Sequence, residues 1–346
     1  MSYYFPSFLA DAHVPAEISK ELVYTVNSGK SALRLFLRSF KMQPGSKIAI
    51  PAFVCPAVKE AVFAEGFEPA LLDLKDDLTF WTAHNFAKLK DNGVKALILT
   101  HLYGFIHPDT SEIVNFCKEN DIYLVHDAAQ SYGIKEADLG ANPLIIYSFG
   151  PGKSSTAAGG GWIKGINESY YKEQVSQKYA KGDEWRAELF LKSRIYGYEP
   201  SFSDKIKKRV AGSSKEKEHI CAMTPLQRRA ATRVLNDLAA ARRPRSENYA
   251  ILRSAVEKSN DLYIPYNDQQ GLCFKLVAGV KNDPEQFAAY LKKNQVPFFR
   301  LFTEKEVKPA SLPNFARNSA AFFEISCEAS LPQAEIARIA GILAYY

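Results

Sequence analysis

The feature that most constrains this chain is an alternation between about residues 28 and 165. Five short runs are apolar almost throughout: KIAIPAF (47–53), EPALLDL (68–74), KALILTHLY (95–103), IYLVHDAAQ (122–130) and LIIYSFG (144–150). Around and between them lie SALRLFLRSFKM, AVKEAVFAEGF and DTSEIVNFCKEN, whose apolar residues recur at helical spacing. Strands without a polar face are covered on both sides. Strand–helix repetition therefore predicts an α/β domain on a mostly parallel sheet. In such sheets ligands bind beyond the carboxyl ends of the strands, so the residues that end each run are the candidates for chemistry.

Beyond residue 165 the pattern changes. Residues 166–222 are aromatic, basic and irregular, with a basic cluster at 205–217 that reads as a solvated face or an anion-binding surface. A long helical pattern follows over 224–256 and is expected to break near Pro244, where a ring replaces the backbone N–H. The remainder, with DLYIP, CFKLVAGV, PEQFAAYLKKNQV, FFEISC and PQAEIARIAGIL, reads as a smaller α+β domain. The expected division is a large domain over 1–235 and a small one over 236–346.

One lysine stands between two glycine-rich stretches, in YSFGPGKSSTAAGGG (147–161). A phosphate-binding P-loop requires a glycine five residues before the Gly-Lys pair and a helix after it. Here Tyr147 occupies that glycine position and SSTAAGGG is a poor helix start, which disfavours a nucleotide. The other reading is covalent. A lysine on a loop after a buried strand, partly desolvated, has a neutral amine able to attack an aldehyde cofactor such as pyridoxal phosphate. That cofactor needs a carboxylate for its ring nitrogen and N–H groups for its phosphate, best supplied by a helix start.

Both requirements have candidates. Asp127 ends the run IYLVHD, where a carboxylate is either functional or a structural cap. In NSGKSAL, Ser28 can cap a helix, and the N–H groups of Gly29, Lys30 and Ser31 can face an anion or simply begin that helix. Ser148 can add a hydroxyl to the same site. His101, His107, His126 and Asp109 fall on different elements without dense ligand spacing, so a structural role is expected and no metal; Asp109 reads as a helix cap. No G-x-S-x-G elbow occurs.

The five cysteines are scattered, without a C-x-x-C pair, which argues against a disulfide framework or zinc site and for a reducing, cytoplasmic setting. The N-terminus lacks the pattern of a signal peptide. No apolar run approaches the roughly 20 residues of a spanning helix, so no membrane partner is expected. A net charge of +6 is too small to imply nucleic acid.

NSGKSAL, IPAFVCPAV, THLYGFIHPD, VHDAAQSYG and SFGPGKSSTAAGGG occur in this order, and together they resemble the DegT/DnrJ/EryC1/StrS family of sugar aminotransferases, pyridoxal-phosphate enzymes of fold type I. The resemblance is good over 26–165 and weaker through 223–249. It implies that Lys153 is the Schiff-base lysine and proton shuttle, that Asp127 pairs with the pyridine nitrogen, and that Gln130 contacts the oxygen side of the ring. It further implies that Gly29 and Lys30 form the phosphate turn, although the family usually has Thr or Ser at Lys30, and that Ser148 touches the phosphate. Cys55 falls where the family often stacks an aromatic; Phe53 is the alternative. His101 and Tyr103 end a strand near the same crevice, where each either touches substrate or packs in the core. The resemblance also implies glutamate as amino donor, a keto sugar as acceptor and a homodimer.

Two departures stand out. Only 27 residues precede Ser28, fewer than the family usually carries. The family's N-Y-R-M stretch, which reaches into a partner subunit's site, is replaced by ICAM at 220–223. Ile220 and Ala222 cannot supply an amide's or a guanidinium's hydrogen bonds. A pyridoxal-phosphate enzyme with another reaction or a non-sugar substrate, and a non-catalytic binding relative, therefore remain open as alternatives.

Overall fold

The seven runs of extended chain between Tyr24 and Lys164 join in one sheet. The structure, a computed structural model, describes residues 23–75, 83–150, 152–179, 183, 219–265, 273–300 and 311–346. The basic cluster at 205–217 lies outside the described residues. The elements up to Gln174 are β1 (Tyr24–Val26), α1 (Gly29–Ser39), β2 (Lys47–Pro51), α2 (Pro56–Ala64), β3 (Glu68–Leu72), α3 (Ala83–Asp91), β4 (Ala96–Thr100), α4 (Thr110–Glu119), β5 (Tyr123–Asp127), β6 (Leu144–Ser148), β7 (Gly161–Lys164) and α5 (Glu168–Gln174).

Their order across the sheet is β1-β7-β6-β5-β4-β2-β3. The five strands foreseen from the apolar runs pair in parallel. β7 runs antiparallel to both its neighbours and was not foreseen, nor was β1. Each is too short, at three or four residues, to show periodicity. Successive strand residues feed opposite faces: Ile48, Ile98, Val125, Ile146 and Ile163 pack with α1, while Ala49, Leu97 and Leu99 join a cluster on the other side. This two-sided burial is why the runs lack alternation.

The three runs toward the middle of the sheet are shorter than the apolar stretches suggest. They stop at Thr100, Asp127 and Ser148. The residues after those points are loop, which places His101, Gln130 and Lys153 off the carboxyl edge of the sheet.

The C-terminal part contains α6 (Pro225–Lys258), β8 (Leu262–Tyr263), β9 (Lys275–Val280), α7 (Pro284–Lys293), β10 (Phe299–Arg300), α8 (Pro313–Asn318), β11 (Phe322–Ser326) and α9 (Gln333–Ala344). Its strands form an antiparallel sheet in the order β10-β11-β9-β8. The expected break at Pro244 does not occur: α6 is continuous through it and through position 235/236. Packing on both halves outweighs the hydrogen bond that proline forfeits. Ala230, Ala231 and Leu235 bury against Tyr147 and Trp162 of the large sheet, and Leu252, Ala255 and Val256 against the small-sheet core. A capping box of Thr224 and Gln227 starts the helix.

Candidate active site

α1 brings its N-terminus to the edge of β6. Ser28 caps it, accepting the Ser31 N–H at 3.0 Å, and the Ser31 hydroxyl turns to Ser28 Oγ at 2.9 Å. Ser31 is therefore committed to the cap, and the N–H groups of Gly29 and Lys30, the first of the helix, have no acceptor within it. The Lys30 side chain pairs with Glu60 of α2 at 2.9 Å, which leaves its backbone N–H as the group it could offer an anion.

Glycine is required here by close approach. A Cβ on Gly29 would lie 2.8 Å from Ser148 Cβ and 3.0 Å from its Oγ. On the opposite side, a Cβ on Gly161 would lie 2.6 Å from Ser28 O. The glycine run after Lys153 thus lets the start of β7 press against the Ser28–Gly29 turn, with Ser28 and Gly160 in a β-bridge. It does not open a helix, which removes the P-loop reading. Cys221 O accepts the Asn27 N–H at 2.8 Å. The ICAM stretch is buried in this way against the Ser28–Gly29 turn.

Lys153 sits on the loop between Ser148 and β7. Thr156 grips its backbone twice: its Oγ1 accepts the Lys153 N–H at 2.8 Å and donates toward Lys153 O at 2.7 Å. Ser155 Oγ donates to Ser148 O at 3.1 Å. Arg245, from the middle of α6, donates to Ser154 O at 3.1 Å.

Asp127 ends β5 and is buried. Its Oδ1 accepts the Ala129 N–H at 3.0 Å, and its other oxygen has no hydrogen bond among the described residues. Burial pushes its carboxyl above the usual range, while the Lys153 charge and the Ala129 N–H pull it back. Gln130 Oε1 accepts the Tyr103 N–H at 3.2 Å, which leaves the Gln130 NH₂ without a partner among the described residues.

His101 is placed in the core. It is fully buried, its Nδ1 accepts the His107 N–H at 3.0 Å, and its Nε2 meets His126 Nδ1 at 3.1 Å. This chain fixes the tautomer, with the His101 proton on Nε2. Both ring nitrogens are engaged within the protein, which favours the core-packing alternative for His101 over a substrate contact. His126 also bonds the Leu139 backbone, and burial lowers it to about 4. Burial and the neighbouring histidines hold His101 well below its ordinary range. Asp109 occupies the N-cap position of α4 without a side-chain capping bond and faces Lys75 at 3.9 Å. Among the described residues no group of His, Cys, Asp or Glu side chains is arranged to hold a metal ion.

Tyr103 adopts φ +59° and is buried, with a hydroxyl that has no hydrogen-bond partner among the described residues. Burial, then the charge of Glu324, raises its phenol. Cys55 precedes α2 and is partly exposed, whereas the Phe53 ring is buried edge-on against Phe322 at 5.9 Å. That contact packs β11 against the segment that follows β2.

β11 and β9 add a pair absent from the sequence-based expectations: Glu324, buried and ion-paired with Lys275, near enough to feel the Lys153 charge. Burial raises Glu324, and Lys275 and then Lys153 oppose the rise. A lone charge inside each of the apolar runs CFKLVAGV and FFEISC was the available signal. Arg245 and Thr156 carried none.

A sequence profile of the DegT/DnrJ/EryC1/StrS aminotransferase family matches residues 12–343. The chain belongs to this family. Among curated relatives, the UDP-N-acetyl-3-dehydro-alpha-D-glucosamine 3-aminotransferase of Acidithiobacillus ferrooxidans is 31% identical over 137 residues, 39% of this chain and 37% of that protein. GDP-perosamine synthase of Escherichia coli O157:H7 is 26% identical over 151 residues, 42% of this chain and 41% of that protein. The matched stretch thus spans about two-fifths of these relatives. Solved structures align over far more. A DegT DnrJ EryC1 StrS aminotransferase from Brucella abortus superposes with TM-score 0.71 at 17% identity, covering 96% of this chain and 90% of that one. The protein ntda from Bacillus subtilis, solved with the cofactor PMP, gives TM-score 0.67 at 17% identity over 93% of this chain and 72% of that one. The DegT-family chain therefore has the fold-type I architecture of pyridoxal-phosphate enzymes.

Proposed function

We propose that this DegT-family protein is a pyridoxal-phosphate-dependent aminotransferase that moves an amino group from an amino acid, glutamate by family resemblance, to a keto sugar. The observation that carries the reading is the convergence of Lys153, Asp127, Ser148 and the capped start of α1 at one edge of the sheet. The donor set fits the cofactor: a helix start with no side chain at Gly29, a buried carboxylate with one unengaged oxygen, and a free amide NH₂ on Gln130.

Bound there, pyridoxal phosphate supplies an electron sink for negative charge developing at the substrate carbon. Gly29, Lys30 and Ser148 would hold its phosphate through two N–H groups and a hydroxyl. Asp127 would hold the ring nitrogen protonated; being buried, its carboxylate is strongest toward a positive partner. Gln130 would donate to the ring's oxygen side, and Cys55 would pack against the ring as a small polarisable group. Lys153 would hold the cofactor through Nζ and, when displaced by substrate, take a proton from the substrate carbon and return it. Cofactor binding is assigned to residues 1–235 and the second wall to 236–346, in a homodimer of the cytoplasm. The five unpaired cysteines support that compartment.

The buried Ile220–Met223 stretch favours a second reading on substrate alone, in which the keto acceptor is not nucleotide-linked. A visible spectrum with added pyridoxal phosphate, borohydride trapping and peptide mapping tests the cofactor assignment. A yellow species trapped on Lys153 is expected; a colourless, folded protein without adduct overturns it. Glutamate should then yield 2-oxoglutarate, and keto acceptors with and without a nucleotide separate the two substrate readings.

A further inference from the structure

Among the described residues Arg245 is buried, at 7% exposure, as is Arg34. It projects from the middle of α6, one residue past Pro244. Its guanidinium makes contacts in two directions. Nη1 donates to the backbone carbonyl of Ser154, the residue after Lys153, at 3.1 Å. Nη2 and Nε both donate to Glu328 Oε2, at 2.7 and 3.2 Å. Glu328 lies just beyond β11, on the small-sheet side. One turn along the helix, fully buried Asn248 donates to the Glu328 and Cys327 carbonyls at 3.1 and 3.4 Å and accepts from Gln333 Nε2 at 2.9 Å. Glu328 is thereby fixed by backbone and side chain together.

We propose that Arg245 is a positioning residue that ties the lysine loop to the small sheet, so that Glu328 sets how tightly Lys153 is held. The chemistry supports a strut over a filler. A guanidinium is planar, always charged and carries five donors, so it can serve a carbonyl and a carboxylate at once in fixed directions. Once buried, it needs its carboxylate, and losing either contact leaves the other less well defined. On the loop side, Thr156 and Ser155 hold the lysine segment to itself and to β6. Arg245 joins it to residues beyond 225 next to Lys153, whereas Gln227 Nε2 reaches only the far end of the loop, at Ala158 O, 3.4 Å away. A lysine that must hold a cofactor and then swing free to move a proton gains from a tether one residue away that does not touch its Nζ.

The lysine's chemical role rests on the function proposed above, but the tether does not, so the test begins without cofactor. Hydrogen exchange is followed by mass spectrometry in the full chain and in Arg245→Lys, Glu328→Gln and the double variant. The reporting amides are Lys153, Thr156 and Ala157, which donate to Thr156 Oγ1, Lys153 O and Phe149 O. Both single variants are expected to speed exchange of peptides covering 150–158 about tenfold, as for about 1.4 kcal/mol of lost local protection. Peptides of β4 and β5 stay as in the parent, and the double variant adds little to either single one. Unchanged exchange at 150–158, acceleration spread equally over β4 and β5, or full additivity would each overturn the proposal. Should Arg245→Lys fail to fold, Glu328→Gln carries the test, since its side chain is a third exposed. A second arm measures the rate at which borohydride fixes added pyridoxal phosphate on Lys153. Faster local exchange without any adduct in the parent protein retires the proposed function and leaves the tether standing.

Discussion

Replacing Gly29 by alanine probes the proposed phosphate turn directly. The new Cβ would sit 2.8 Å from Ser148 Cβ, where an ordinary carbon–carbon contact needs about 3.8 Å. Roughly 1 Å must therefore open between α1 and β6. Ser148 cannot yield by rotation, because the clash is with its Cβ, and its backbone is paired to Gly161 in the β6–β7 ladder. The start of the helix must withdraw instead. Such overpacking costs about 1–3 kcal/mol, set against up to about 1 kcal/mol of improved helix propensity. A net loss of about 1–2 kcal/mol should lower Tm by a few degrees.

The larger effect is on binding. A hydrogen bond stretched by about 1 Å from its usual 2.9 Å is no longer one. A phosphate can then no longer be shared between the helix N–H groups and the Ser148 hydroxyl. One lost charge-assisted bond is about 1.5–3 kcal/mol, so the preference for pyridoxal phosphate over pyridoxal should fall at least about tenfold. Absorbance titrations with both aldehydes measure that ratio. Gly150→Ala is the control, since its Cβ would meet only Ser148 Oγ, at an ordinary 3.4 Å. A folded Gly29→Ala protein with the parent's preference would refute the placement of the phosphate.

Three further outcomes are expected. His126 is lowered to about 4 from an ordinary 6.5, so the unfolded chain takes up its proton first as pH falls; stability is complete above about 6.5 and declines by about 3 kcal/mol down to pH 4. Asp127, raised by burial, works weakly the other way in the carboxylate range. Melts between pH 7.5 and 4.5 should show the decline, and His126→Gln should lessen it, with buried His101 supplying the remainder; an equal slope in that variant sinks the assignment. Tyr103→Phe removes a buried hydroxyl without a partner among the described residues, so Tm should hold or rise; a drop of several degrees means the hydroxyl is bonded in solution. Asp127→Asn keeps the shape and removes the charge, so 2-oxoglutarate formation from glutamate should slow about 10²–10³-fold with Tm unchanged; less than a tenfold loss would dismiss Asp127 as the ring's partner.

Much of the site was legible because its signals are local. Ser28, Gly29 and Ser148 sit at the boundaries of elements, and capping and strand-end positions follow from a few neighbouring residues. Five apolar runs were enough to foresee a parallel sheet, since burial on both faces leaves an unmistakable pattern. His101 was harder, because a histidine at a strand end reads alike whether its nitrogens face a crevice or two other histidines.

The sequence by itself determined the α/β class, the capped helix start and the placement of Lys153 and Asp127 after buried strands. Each depends on contacts within a few residues or on a period repeated along one element. Only the tertiary structure decided that α6 passes unbroken through Pro244, that His101 turns into the core, and that Glu324, paired with Lys275, comes near Lys153. It alone joined Arg245 to Ser154 and Glu328, partners 91 and 83 residues away. Such contacts have no local period, because they arise where two sheets and a shared helix pack and buried charges must find one another.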